Sequence, residues 1–151
     1  MAQGRATGLS LSKQIENITS QLDEVKVLFV KKMAEKIVEY SPVYSGTYVK
    51  GHNISTGRNV EGQFTGSYET HLESPSPQAE RDTALTKLFA QADALPEDAT
   101  NFTIGNTVPH AWKVEYAGWK ITQPYAVYSR TRAIASELLQ EAVNEVRGRS
   151  T

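Results

Sequence analysis

Residues able to do acid–base, nucleophilic or metal chemistry are few in this chain, and their spacing brings none of them together. The three histidines, His52, His71 and His110, stand nineteen and thirty-nine residues apart, with no HExxH or other close ligand pair. A metal site would need three unrelated loops to meet, so these read as surface or loop histidines. Glu115 is the most suggestive carboxylate, because Trp112, Val114, Tyr116 and Trp119 surround it in sequence. An apolar setting raises a carboxyl pKa and would make Glu115 a general acid. The competing reading is a carboxylate that fixes the local fold by accepting backbone N–H or tyrosine hydrogen bonds. It is preferred, since no partner acid or base lies in a nearby motif.

Nucleophile and phosphate motifs are also missing. GxSxG does not occur, and Gly57, Gly62 and Gly66 are too widely spaced to cradle a phosphate. Tyr40, Tyr44, Tyr48 and Tyr68 could form a base-stacking platform, but Lys50 and Arg58 are the nearby cations, where such platforms interleave many. These tyrosines read instead as rings buried in a core or at a subunit interface, with the hydroxyl hydrogen-bonded. The expectation is no enzyme, no catalytic or metal residue and no cofactor.

The densest chemical signal is aromatic. Both tryptophans, three of the seven tyrosines and two of the six prolines fall between Ile104 and Tyr128. Such a concentration without acid–base geometry predicts shape-defined contact. The fold-anchoring or interface candidates are Tyr44, Tyr48, Phe64, Tyr68, Trp112, Glu115, Tyr116, Trp119 and Tyr125.

The elements that must position these residues follow from periodicity. From about Ser12 to Tyr40, the residues Ile15, Ile18, Leu22, Val25, Phe29, Met33, Ile37 and Tyr40 recur at three- and four-residue steps. They predict a long amphipathic helix of about 40 Å, ended by Pro42. That is long for 151 residues, so part of its stripe is expected to lie under a neighbouring subunit. Thr47 to Ile54, rich in β-branched and aromatic residues after the Gly46 turn, predicts a strand. Residues 55–75 read as a long loop or irregular hairpin that projects from the domain.

Ser76 then caps, and Pro77 opens, a second helix that carries Ala84, Leu85, Leu88, Phe89 and Ala92 and closes before Pro96. Asn101 to Asn106 predicts a short strand with Phe102 and Ile104 on one face, ending in a Gly-Asn turn. Thr131 to Val146 predicts a third helix, with Ile134, Leu138, Ala142 and Val146 as its stripe. Residues 1–10 read as a mobile arm and 147–151 as a frayed tail. One α+β domain is expected, with long N- and C-terminal helices and one additional helix packed on a small, mainly antiparallel sheet.

Composition bounds the function classes. Net charge is −1, hydrophobic residues make up 39% and charged residues 22%, and mean hydropathy is −0.44. A free-standing DNA-binding domain normally carries a basic excess, which this chain lacks. No run approaches the roughly eighteen apolar residues that span a bilayer. The opening residues have no apolar core after Arg5, so they are not read as a secretory signal. With no cysteine, disulfides, thiolate catalysis and cysteine zinc sites are excluded.

The order of motifs resembles the tail-completion or neck proteins of tailed double-stranded DNA bacteriophages. That family's pattern is a long N-terminal helix and a "Pro–x–x–Thr–Gly–x–Leu" turn, here Ser41-Pro42-Val43-Tyr44-Ser45-Gly46-Thr47-Tyr48. Next come a short strand (Asn101–Gly105) and a "Tyr-Ala–x–x–Val-Glu–x–Gly" segment, here running from His110 through Glu115 to Trp119. A proline turn at Gln123-Pro124-Tyr125 and the helix Thr131–Val146 complete it. Ser45, Tyr48 and His110 depart from the usual residues, and Ala117 lengthens the Glu–Gly spacing by one.

The resemblance implies a virion structural protein at the head–tail junction, assembled in host cytoplasm as a ring, a hexamer being favoured. Its partners would be other copies of itself, connector or stopper proteins and tail-tube proteins, with DNA merely passing through the channel and no membrane involved. An open alternative is a soluble protein-binding adaptor acting as monomer or dimer.

Overall fold

A computed structural model describes residues 11–57, 73–118 and 123–149. The expected arm, most of the 55–75 loop, Phe64, Tyr68, His71 and Trp119 lie outside the described residues. The fold is α+β, mostly helical, with a two-stranded antiparallel sheet.

Helix α1 runs from Leu11 to Tyr40. At its end the Ser41 N–H bonds the Val38 carbonyl (3.2 Å) and the Ser41 hydroxyl bonds the Ile37 carbonyl (2.6 Å), before Pro42 prevents continuation. Its apolar residues divide between two faces, where a single stripe was expected. Val30, Ala34, Ile37 and Val38 are buried, whereas Leu11, Ile15, Ile18 and Leu22 are 54–72% exposed. At 100° per residue the two sets point about 120° apart, and the first lies in the stretch 11–22, where no side of the helix is covered.

Thr47–Ile54, expected as one strand, is corrected to a helical turn followed by a strand. Gly46 takes φ 90°, a conformation that costs glycine little, and accepts from the Lys50 N–H at 3.1 Å. Thr47–Lys50 (α2) therefore coils, and pairing begins only at His52–Thr56 (β1). Strand β1 pairs with Phe102–Asn106 (β2) from His52↔Asn106 to Thr56↔Phe102. The expected Gly-Asn turn is thus corrected too, since both residues belong to the ladder. Gly51 is required here by close approach, because a Cβ would stand 2.5 Å from Val108 Cγ1.

Helix α3, Pro77–Asp93, starts as expected, with the Ser76 hydroxyl accepting from the Ala79 N–H at 3.2 Å. The third expected helix is two: Val127–Ala133 (α4) and Ala135–Arg149 (α5), broken at Ile134. Arg147 to Arg149 stay helical, which corrects part of the expected frayed tail.

Among the described residues, two apolar clusters share the interior. The first joins Val30, Ala34 and Val38 to Val49, Ile54, Leu88, Ala92 and Leu95. The second gathers Ile37, Tyr48, Val108, Val114 and Val127, and Ile104 packs against both. Helix α5 lies along α1, burying Leu138, Ala142 and Val146, with Lys32 held by Glu145 at 2.6 Å and Glu141 at 3.7 Å. These contacts enclose the C-terminal half of α1. Residues 11–22 are exposed on every side.

Candidate functional site

Three features carry the chemistry of this molecule: a buried histidine network, the Glu115 turn, and the uncovered apolar surface. His52 is fully buried, which corrects its reading as a surface histidine. Ser41 donates to the Ile37 carbonyl, so its oxygen is left to accept from His52 Nε2 at 2.8 Å. That fixes the Nε2–H tautomer. Nδ1 then accepts from the Tyr128 hydroxyl (2.5 Å) and from Asn106 Nδ2 (3.3 Å).

Burial, reinforced by the Lys87 charge, pushes the His52 pKa down to about 3. Burial also raises the Tyr128 pKa, so the phenol keeps its proton and donates it. The ring edges of Tyr48 and Tyr128 close the site at centroid distances of 5.0 and 5.5 Å. Tyr48 shares this setting, but its buried hydroxyl finds no hydrogen-bond partner among the described residues, and burial raises its pKa. Serine and histidine are therefore adjacent without forming a nucleophile pair. The serine proton points to a carbonyl, and neither side chain reaches solvent. The sequence could not reveal this cluster, because its members come from positions 41, 52, 106 and 128.

Glu115 sits in a π-helical turn, Lys113–Ala117, and is 7% exposed. One carboxylate oxygen accepts from the Tyr128 N–H at 2.9 Å. The other accepts from the Ser129 N–H (2.9 Å) and the Ser129 hydroxyl (2.8 Å). These N–H groups belong to the first turn of α4, so Glu115 supplies the acceptor that helix needs. Its starting residue Ala126 holds φ 47°, the one non-glycine positive φ among the described residues, and this turns α4 toward the carboxylate. Tyr125 locks the same corner through its N–H to the Val114 carbonyl (2.8 Å) and packs on the second cluster. A carboxylate engaged by three donors is placed to hold a helix rather than to transfer a proton.

The remaining aromatic candidates separate by exposure. Trp112 and Tyr116 are 61% and 72% exposed, so within one chain they do not anchor the fold. Spaced four residues apart, they form one outward ridge. Tyr44, 61% exposed, stands at the edge of a groove of about 570 Å³ that Tyr40, Tyr125, Arg81 and Arg130 also line. Arg130 stacks on the Tyr40 ring at 3.8 Å, and Arg81 reaches the Ser41 carbonyl at 3.4 Å. The apolar seam of α1 completes the uncovered surface.

Among the described residues, no group of three or more histidines and carboxylates could hold a metal, and no helix is long and apolar enough to cross a membrane. No protein-family model, curated protein or solved structure matches the chain.

Proposed function

We propose that this chain is a non-enzymatic assembly subunit, and specifically a neck or tail-completion protein of a tailed phage that works as an oligomeric ring. The observation that carries the assembly reading is the N-terminal part of α1. Twelve consecutive residues are exposed, and along them Leu11, Ile15, Ile18 and Leu22 follow the 4–3–4 spacing of a packing seam. An unsupported helix of this length is marginal in water, and Ser12, Asn17, Thr19 and Ser20 lower its propensity further. A seam of this kind gains stability only when another surface covers it.

The neck assignment rests on the shared order of motifs. Near-neutral charge fits it, because a strongly basic lumen would retain the DNA that must pass. Assembly needs no active site, and among the described residues the serine–histidine contact is buried and Glu115 is engaged by a helix terminus.

Native mass spectrometry of the purified chain, alone and with connector, stopper or tail-tube proteins, tests the proposal. Rings of defined copy number, or a defined complex with those proteins, are expected. A single chain under every condition would refute it. The adaptor reading draws support from one observation, the groove between Arg81 and Arg130, which has room for a short segment of a partner protein. It predicts a one-to-one complex with no ring.

A further inference from the structure

Two guanidinium groups, Arg81 from α3 and Arg130 from α4, line one groove at the end of α1, together with Tyr40, Tyr44 and Tyr125. Among the described residues neither arginine is paired with a carboxylate. Arg149, by contrast, pairs with Glu145 at 3.8 Å, and the groove's own carboxylate, Glu39, is held by Lys36 at 3.0 Å. A guanidinium stays charged at every working pH, and its planar fork matches a carboxylate. Arg130 lays its face on the Tyr40 ring at 3.8 Å, which leaves its edge N–H groups available. Arg81 gives one N–H to the Ser41 carbonyl at 3.4 Å and keeps its other donors. We infer that this groove binds an acidic segment of a partner protein, with a carboxylate between Arg81 and Arg130 and an apolar or aromatic neighbour against Tyr44 and Tyr125.

Charge, size and rigidity favour that occupant. With Glu39 engaged by Lys36, the two arginines leave the groove with a positive excess that one carboxylate answers. A nucleic acid strand needs a longer track of cations, and this chain has no basic excess to supply one. The groove, about 570 Å³, takes a short peptide stretch, and its tyrosines suit a flat or branched apolar side chain. Its parts are already fixed. The Ser41 hydroxyl is bonded to the Ile37 carbonyl at 2.6 Å and to His52 at 2.8 Å, and the Tyr125 N–H to the Val114 carbonyl at 2.8 Å. Little freedom is therefore lost when a ligand enters. Arg130 is exposed, so the pairing is weak and sensitive to salt. From Leu22 to Tyr40 is eighteen residues, about 27 Å of helix, so filling the groove leaves the Leu11–Leu22 seam uncovered. The site is thus independent of ring assembly.

An NMR titration of the isotope-labelled chain with the end-blocked peptide Gly-Phe-Glu-Gly tests the site. Carried to about 5 mM, it detects dissociation constants near about 1 mM. Saturable shifts are expected at the Arg81 and Arg130 side-chain N–H groups and at the Tyr44 and Tyr125 rings, and added salt should weaken them. The peptide Gly-Phe-Gln-Gly keeps the shape without the charge. That peptide on the wild type, and the glutamate peptide on Arg130→Gln, should each bind at least about fivefold more weakly, because a charge-assisted hydrogen bond is lost. Circular dichroism checks that the variant folds, and the glutamine peptide needs no variant at all. No saturable shift, a glutamine peptide that binds equally well, or shifts confined to other surfaces overturns the inference. A short single-stranded oligonucleotide that binds this groove more tightly than the peptide also overturns it, because the site then belongs to phosphate. None of these results changes the state of association, so failure here and failure of ring assembly are read separately.

Discussion

Acidification below neutrality should destabilise this protein through His52 before any carboxylate is involved. In the unfolded chain a histidine titrates near 6.5, whereas burial and the Lys87 charge hold the folded His52 to about 3. Between those values the unfolded state binds a proton that the folded state refuses. The His52 contribution is therefore complete above about 6.5 and lost progressively as pH falls toward 3. Going from about pH 7 to about pH 5 should cost about 2 kcal/mol, from roughly 1.4 kcal/mol per pH unit below the unfolded pKa. Glu80, whose pKa Lys50 and Ser74 depress, loses its contribution only below the usual carboxylate range, so this window isolates histidine. His110, shifted down by partial burial, adds in the same direction.

The assay is urea denaturation at both pH values for the wild type and for His52→Gln. The glutamine amide retains a donor toward Ser41 and an acceptor toward Tyr128 but does not titrate. His110 is common to both chains, so the difference in their pH dependence belongs to His52. Equal pH dependence in the two chains, or a His52 imidazole NMR resonance that titrates near 6.5 in the folded protein, would refute the reasoning.

Other perturbations separate structural residues from exposed ones. Glu115→Ala strands two N–H groups at the start of α4 and one hydroxyl, and should cost about 3 kcal/mol in a thermal or urea melt. A loss under about 0.5 kcal/mol would contradict its capping role. Gly46→Ala should cost about 2 kcal/mol by the same assay, because φ is 90° and the new Cβ would stand 2.5 Å from Glu80 Cδ. Trp112→Ala should change the stability of the isolated chain by no more than about 0.5 kcal/mol, since the ring is largely in water, and a larger loss would restore Trp112 as a fold anchor.

Local signals in the sequence were reliable where the physics is local. Ser76 and Pro77 announce α3 because capping depends on three adjacent residues, and Pro42 announces the end of α1 for the same reason. Phe102 and Ile104 alternate because one face of β2 packs inward. The errors came from long-range choices. Tyr48 and Val49 look like strand residues, but the left-handed Gly46 and the tight fit at Gly51 coil that segment instead. Periodicity marked apolar positions on α1 without saying how far along the helix the rest of the chain would cover it. Val30, Ala34 and Val38 won the core, and Ile15 and Ile18 were left outside. His52 was illegible because nothing in a sequence announces that Ser41, Asn106 and Tyr128 will meet it. Glu115 was partly legible: its apolar neighbours flagged it, while the donors that explain it lie thirteen and fourteen residues away.

Covered surface is the account's central claim, and the state of association of the chain addresses it most directly. Sedimentation equilibrium over a wide concentration range, alone and with connector and tail-tube proteins, should show species well above the 16.7 kDa of one chain. Ile18→Glu should lower that mass. A wild-type chain that remains at 16.7 kDa throughout, or an Ile18→Glu chain that assembles as readily as the wild type, would contradict it.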